Sequence, residues 1–211
     1  VPGTIDNDIF GTDFTLGYDT AVNTALDAID RIRDTAQSHD RVFFIEVMGR
    51  DAGFIALESA IGGGAEVVTV PETPTDIDDI AGRFIASFQN HKNSLIAVVA
   101  EGDEEGGAAE LAEKVRRKMK ERGYDLEMRV SALGHIQRGG SPTARDRVLG
   151  SVLGTAAVEA LLEGKTNVMV GRLKGEIAYT SLGEAIGRKK GLDPTIVRLA
   201  ESLSAPIQPS R

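Results

Sequence analysis

Cysteine and tryptophan are absent from the 211 residues, and aromatic residues make up only 5%. Without cysteine there is no disulfide, no thiolate nucleophile and no thiolate metal site, a composition that fits a cytoplasmic protein. Cations are outnumbered as well: 24 Lys and Arg stand against 32 Asp and Glu, for a formal charge of −8. Nucleic acid is therefore not expected as the main partner, because phosphate backbones are met by clustered cations in a basic field. A phosphorylated metabolite remains open, since it needs only a few converging arginines. No apolar run approaches the ~18 residues of a membrane span, no signal-peptide pattern is visible, and no repeat recurs at solenoid period. What is present is 41% hydrophobic content, enough at this length for one large domain or two small lobes.

Apolar spacing at i, i+3 and i+4 through Ala21, Val22, Ala25, Leu26, Ile29 and Ile32 predicts an amphipathic helix within 15–38. RVFFIEV (41–47) and SLIAVVA (94–100) read as buried strands, and further strands are expected at 66–70 and 126–133. Helices are expected over 51–61, stopped by Gly62-Gly63-Gly64, over 75–88 with Thr75 or Asp76 as cap, over 108–122 and over 142–162. A hairpin over 167–173 and 176–179, two short helices and a poorly ordered tail from Ser204 complete the chain. Strands alternating with helices imply an α/β fold with mainly parallel sheets flanked by helices. Ligands of such sheets bind beyond the carboxyl ends of the strands. The loops at Thr4–Asp8, Met48–Arg50, Glu101 and His135–Arg138 are therefore expected to share one cleft.

Each of these loops has a chemical reading and a plainer one. In Gly3-Thr4-Ile5-Asp6-Asn7-Asp8, a carboxylate can take a proton from a substrate hydroxyl while a second helps hold a metal; the same hexapeptide also suits a simple turn. Gly49 after a strand permits close approach of a ligand, and Arg50 offers a guanidinium matched to phosphoryl oxygens, or else pairs on the surface with Asp51. Gly134-His135-Ile136-Gln137-Arg138-Gly139-Gly140-Ser141-Pro142 joins two cationic side chains to flexible glycines and a helix start, a suitable place for phosphate. Glu101 can accept from sugar hydroxyls or be a solvated loop carboxylate. Arg41 and Arg129 flank strands at the wrong edge for the cleft, as surface charges or contacts to a neighbouring subunit.

Taken in order, PGTIDND, HDRVFFIEVMGRDAG, GGGAEVVTVPE, AEG and ALGHIQRGGSPTARDR resemble the 6-phosphofructokinase family from Pro2 to Arg147. The resemblance implies a phosphofructokinase fold of two interleaved lobes, with 1–17 and 130–180 in a nucleotide-binding lobe and 18–129 and 181–211 in a sugar-phosphate-binding lobe. It implies transfer of the terminal phosphoryl group of ATP, with Mg²⁺, to the 1-hydroxyl of fructose 6-phosphate. Asp6 matches the catalytic base, Thr4 and Asp8 the residues around substrate and metal, and Arg50 the group that stabilises transition-state charge. Met48 and Gly49 match the backbone lining the sugar site, Glu101 a sugar-hydroxyl acceptor, and His135 and Arg138 sugar-phosphate ligands. Arg41 and Arg129 match a pair reaching the 6-phosphate from an adjacent subunit, which implies a homo-oligomer, usually a tetramer.

Gly3 resembles the ATP-using branch; pyrophosphate-using relatives tend to carry Lys there, and the pyrophosphate-dependent enzyme is the alternative reading. Arg33, Gly64 and Glu66 match effector-binding positions, with Lys92 in a run (Asn90-His91-Lys92-Asn93) less basic than the family's. The opening on Val1-Pro2-Gly3 is expected to be a cut through a longer protein, the family's Gly-rich nucleotide loop and main metal-binding Asp lying upstream, so that the chain alone is expected to be inactive. A phosphatase forming an aspartyl-phosphate fits poorly, because Phe10 stands where such enzymes place Thr or Val. A non-catalytic sugar-phosphate-binding fragment has no need of Asp6.

Overall fold

The computed structural model describes residues 1–36, 41–92 and 94–204. In chain order the elements are β1 (Gly3–Thr4), β2 (Leu16–Gly17), α1 (Tyr18–Ala36), β3 (Arg41–Val47), α2 (Phe54–Gly63), β4 (Val67–Thr69), α3 (Ile77–Gln89), β5 (Ser94–Ala100), α4 (Ala108–Glu121) and β6 (Glu127–Ala132). A 3-10 turn over Gly134–Arg138 follows, then α5 (Ala144–Leu162), β7 (Val168–Leu173), β8 (Glu176–Ser181), α6 (Leu182–Gly187) and α7 (Pro194–Ser204). The four-stranded sheet runs β4-β5-β3-β6 and every pair in it is parallel. The α/β class expected from the sequence is therefore observed.

Burial on both faces explains why the strands read as continuous apolar runs. In β5, Ile96, Val98 and Ala100 enter the core beneath α1 and α2, while Leu95, Ala97 and Val99 enter the core beneath α3 and α4. Strand β3 divides in the same way, with Phe43, Ile45 and Val47 on one side and Val42 and Phe44 on the other. Phe44 meets Phe84 of α3 edge-on at 5.8 Å, a favoured aromatic geometry. A third, smaller core joins Leu149, Leu153, Ala156 and Ala160 of α5 to Val170 of β7, with Phe14 and Leu16 against it.

Several boundaries differ from the sequence expectation, each for a local reason. Helix α2 starts at Phe54 rather than Asp51, because Gly49 (φ 146°) and Arg50 (φ 52°) make a turn closed by Ala52 N–H donating to Gly49 O at 3.0 Å. It runs through Gly62 and Gly63 and stops at Gly64, whose φ of 62° gives a left-handed cap. Of the two caps expected for α3, Thr75 or Asp76, Asp76 serves, accepting from the amides of Asp78 (2.8 Å) and Asp79 (3.1 Å). The helix expected within 15–38 begins at Tyr18, because Leu16 and Gly17 pair in parallel with Gly3 and Thr4. The expected hairpin is antiparallel from Val168 to Ser181. The tail expected to be poorly ordered lies, beyond Ser204, outside the described residues.

The first turns of α1 and α5 hold each other. Buried Asp146 accepts from the amides of Gly17 (3.0 Å) and Thr20 (2.9 Å) and from the Thr20 hydroxyl. In return, the Thr143 hydroxyl donates to Asp19 at 2.5 Å. Asp146 thus acts as a remote cap for α1 while its own amide is capped by Thr143. Asp146→Ala is expected to lower unfolding free energy by about 2–4 kcal/mol in the full-length protein, the scale of several lost bonds to one charged acceptor; urea titration reads it.

Candidate active site

The carboxyl ends of β3, β5 and β6 lie on one edge of the sheet, and hydrogen bonds tie the loops that leave them. Glu101 N–H donates to Val47 O at 3.0 Å, and Leu133 N–H donates to Glu46 O at 3.0 Å. Glu101 Oε1 accepts from the amides of Gly49 (3.2 Å) and Arg50 (2.8 Å). A second carboxylate, on Glu72, accepts from Gly53 N–H at 3.0 Å, in the place of a cap on α2. The Met48–Gly53 turn is thereby held by two acidic side chains from other loops. Gly49 cannot be replaced without moving this turn, because a Cβ there would stand 2.3 Å from Ala52 O and its φ is in the left-handed half of the map.

Arg50 projects from that turn toward Asp6, with Nε 3.8 Å from Asp6 Oδ2. Asp6 is buried at 5% exposure, whereas the Arg50 side chain is 72% exposed. One carboxylate oxygen, Asp6 Oδ1, is buried with no hydrogen-bond partner among the described residues. Burial pushes the Asp6 carboxyl above the ordinary carboxylate range, and Asp8 adds to the rise. Arg50, the Thr4 hydroxyl and Arg138 act against it. A buried carboxylate with a raised pKa, one unpartnered oxygen and an arginine beside it has the features from which a proton acceptor can be built.

The loop carrying Asp6 is pinned from within. Asp6 N–H donates to Thr4 Oγ1 at 3.1 Å, and the Thr15 hydroxyl donates to Thr4 O at 2.6 Å. Asn7 is buried and left-handed (φ 56°), and its Oδ1 accepts from Thr15 N–H at 3.0 Å and from Lys190 Nζ at 3.0 Å. Burial pulls the Lys190 amine down to about 8, although Asp13, Asp8 and Glu58 favour its charge.

The remaining predicted residues divide into two places. Arg138 lies close enough to Asp6 to act on its proton, and His135 shares its 3-10 turn; both are exposed. Buried Gln137 donates to Gly134 O at 3.2 Å and holds that turn together. Helix α5 starts at Ala144, two residues later than expected, and His135 and Arg138 lie on the preceding 3-10 turn. Arg41 opens β3, ~20 Å along the strand from its carboxyl end at the rise of a parallel strand. It donates to Glu127 at 2.6 Å, and Arg129 pairs with the same carboxylate. Both arginines hold Glu127 below the ordinary carboxylate range, with the Arg41 hydrogen bond as the larger influence. Arg129 lies within β6 rather than beside it. Neither arginine enters the Asp6 cleft.

Arg33, Gly64, Glu66 and Lys92 gather beyond the opposite, amino edge of the sheet. Arg33 donates to the carbonyls of Gly63 and Gly64, the latter at 3.1 Å. Buried Glu66 accepts from Ile96 N–H at 2.6 Å and from Lys92 at 3.4 Å.

Sequence reading passed over Thr15, Glu72 and Lys190. Each acts through a backbone or amide group, 8 and 11 positions away for Thr15, 19 for Glu72 and 183 and 177 for Lys190, and no local spacing pattern marks such a partner.

A parallel α/β sheet thus brings a carboxylate, two arginines and a glycine turn together at one end, where guanidinium groups are able to meet phosphoryl oxygens. The family pattern described as "Phosphofructokinase" matches residues 1–161. "ATP-dependent 6-phosphofructokinase 1" of Thermus thermophilus is 58% identical over 204 residues, which is 97% of this chain and 62% of that protein. The "ATP-dependent 6-phosphofructokinase" of Brevibacillus brevis is 53% identical over 97% of this chain and 62% of its own length. The solved phosphofructokinase of Saccharomyces cerevisiae superposes with a TM-score of 0.76 at 32% identity, over 95% of this chain and 26% of that one. A pyrophosphate-dependent phosphofructokinase from Marinobacter aquaeolei shares the fold at TM-score 0.76 and 24% identity, over 97% of this chain and 59% of that one. The chain belongs to the phosphofructokinase family, and it spans 62% of the length of the curated relatives it matches.

Proposed function

We propose that this chain carries the acceptor site and catalytic base of an ATP-dependent 6-phosphofructokinase. The observation that carries the reading is Asp6: buried, its carboxyl pushed up, one oxygen unpartnered, and Arg50 at 3.8 Å. Asp6 takes the proton from the 1-hydroxyl of fructose 6-phosphate as that oxygen attacks the terminal phosphorus of ATP and ADP leaves. Arg50 neutralises charge on the transferring oxygens, and Thr4 holds the turn from which Asp6 acts.

The sugar phosphate lies along the backbone of Met48 and Gly49, with the second oxygen of Glu101 accepting from a hydroxyl and with His135 and Arg138 meeting its phosphate. Arg41 and Arg129 reach the 6-phosphate of a neighbouring subunit's substrate, in a homo-oligomer of the kind usually tetrameric in this family. Their placement away from the carboxyl edge, ~20 Å along β3 for Arg41 and ~10 Å along β6 for Arg129, supports that role. Arg33, Gly64, Glu66 and Lys92 form an effector site. Residues 1–17 and 130–180 belong to a nucleotide lobe, and 18–129 with 181–211 to the sugar-phosphate lobe; the separate small core around α5 and β7 supports this division.

Mg²⁺ fits the site in a limited way. No group of three or more His, Cys, Asp or Glu able to hold a metal occurs among the described residues, but Mg²⁺ bound through substrate phosphates needs only one or two carboxylates. Exposed Asp8, beside Asp6, can supply one. The ion would neutralise phosphoryl oxygens there. ATP rather than pyrophosphate is favoured at Gly3, where nothing lies within 4 Å of a would-be Cβ and no Lys side chain fills the space ahead of Thr4. Assaying the full-length protein with each donor tests the choice. ATP is expected to support turnover and pyrophosphate none; the reverse would establish the pyrophosphate-dependent alternative. No helix of the described residues is long and apolar enough to cross a membrane.

A further inference from the structure

Residues 188–190, near the end of the chain, hold the loop that contains Asp6 and Asp8 at three separate points. Ile9 and Lys189 form an antiparallel bridge. The Arg188 guanidinium stacks on the Phe10 ring at 3.9 Å. Lys190 Nζ donates to Asn7 Oδ1 at 3.0 Å and to Asp13 O at 2.7 Å, and it lies 5.0 Å from the centre of the Phe54 ring.

Asn7 is the residue whose conformation matters most here, because it separates the two carboxylates. Its φ of 56° is left-handed, a state that costs an ordinary L-residue about 1–2 kcal/mol. Asparagine tolerates it when its short side chain finds hydrogen bonds. Here the side chain has two donors, Thr15 N–H and Lys190 Nζ. Thr15 belongs to the same local loop and would follow Asn7 if the loop moved. Lys190 is the donor anchored elsewhere, separated from Asn7 by 183 positions. Its half-buried stem and the second bond to Asp13 O give it one geometry, with the loop bridged across both of its ends.

We propose that Lys190 is a positioning residue: by holding the Asn7 side chain it keeps that residue left-handed and so fixes where the Asp6 and Asp8 carboxylates stand relative to Arg50. This rests on the reading of Asp6 as the base. Lys190 touches no substrate in this scheme; it acts through Asn7.

The test uses the full-length enzyme with Lys190→Met, which keeps the apolar stem and removes the donors, Lys190→Arg, Asn7→Ala, and the Lys190→Met/Asn7→Ala pair. A misplacement of reacting groups by about 1 Å can cost on the order of 100-fold in rate. Lys190→Met is therefore expected to lower kcat by about 10- to 100-fold while KM for fructose 6-phosphate stays within about twofold. Lys190→Arg, which can still donate, is expected within about threefold of wild type. The paired variant is expected to be no slower than Asn7→Ala alone, because both changes break one linkage. Unchanged kcat in Lys190→Met overturns the proposal, as do effects that multiply in the paired variant or a loss of kcat that only follows loss of folded protein in a melting scan. Should Lys190→Met fail to fold, Lys190→Gln is read by the same criteria. Asp6→Asn measured alongside separates the two claims. Full activity in Asp6→Asn removes the base assignment, whereas an inactive Asp6→Asn with a fully active Lys190→Met removes only the role of Lys190.

Discussion

Asp6→Asn is expected to lower kcat of the full-length enzyme by about two decades or more, the scale of a lost general base, and at the same time to raise its melting temperature. The two effects have one origin. Burial raises the Asp6 pKa above its ordinary value of 3.8, so the folded state holds this proton more tightly than the unfolded chain. Stability from this group is therefore greatest below pH 3.8 and falls as pH rises through the raised folded value. At neutral pH the ionised carboxylate is a burden on the fold, relieved by a neutral amide of the same shape. A merely structural Asp would give the opposite pairing: lower stability and little change in rate. Steady-state kinetics and a thermal melt at pH 7 on the same preparations decide between them.

Arg50→Ala is expected to lower kcat by about three decades, toward the range found when an arginine that stabilises transferring phosphoryl oxygens is lost. The fold should hardly notice. The pair with Asp6 is long at 3.8 Å and the arginine side chain is 72% exposed, and exposed ion pairs contribute about 0–1 kcal/mol. The turn itself stays in place because Glu101 holds it through backbone amides, not through the guanidinium. A second signature follows from the electrostatics. Arg50 lowers the Asp6 pKa, so its removal moves the acid limb of the residual kcat profile to higher pH. Arg50→Lys is not expected to restore the rate, since an ammonium lacks the planar fork that meets two oxygens at once. A variant with wild-type kcat, or with an acid limb displaced to lower pH, would remove Arg50 from the chemistry.

Much of the fold was legible because burial on both faces leaves strong local marks. SLIAVVA could hardly be anything but a central parallel strand, and its neighbours in the sheet carry the same apolar runs. That a glycine would stop α2, and that Thr75 or Asp76 would cap α3, followed from local backbone chemistry, though which glycine and which cap did not. Helix α2 began late for an equally local reason that periodicity cannot register, the left-handed pair Gly49 and Arg50. The parallel pairing of Gly3-Thr4 with Leu16-Gly17 was invisible because two residues carry no period.

The site shows the same division. Asp6, Arg50 and Arg138 sit in loops after strands, and the rule that ligands gather there brought them together before any coordinates. The structure adds what holds them. Glu101, expected to accept from a sugar, already spends one oxygen on the amides of Gly49 and Arg50. Lys190 follows a short helix in an unremarkable Arg-Lys-Lys run, and its partners at Asn7 and Asp13 lie more than 170 positions away. Long-range hydrogen bonds of this kind leave no spacing to detect.

The central claim is that the Asp6 loop directs a phosphoryl group onto fructose 6-phosphate. A phosphorus NMR time course of the full-length protein with Mg²⁺, ATP and fructose 6-phosphate tests it most directly. Equal growth of ADP and fructose 1,6-bisphosphate, abolished in Asp6→Asn, is the predicted result. ADP accompanied by inorganic phosphate with the sugar phosphate unchanged, or undiminished bisphosphate formation in Asp6→Asn, would contradict it.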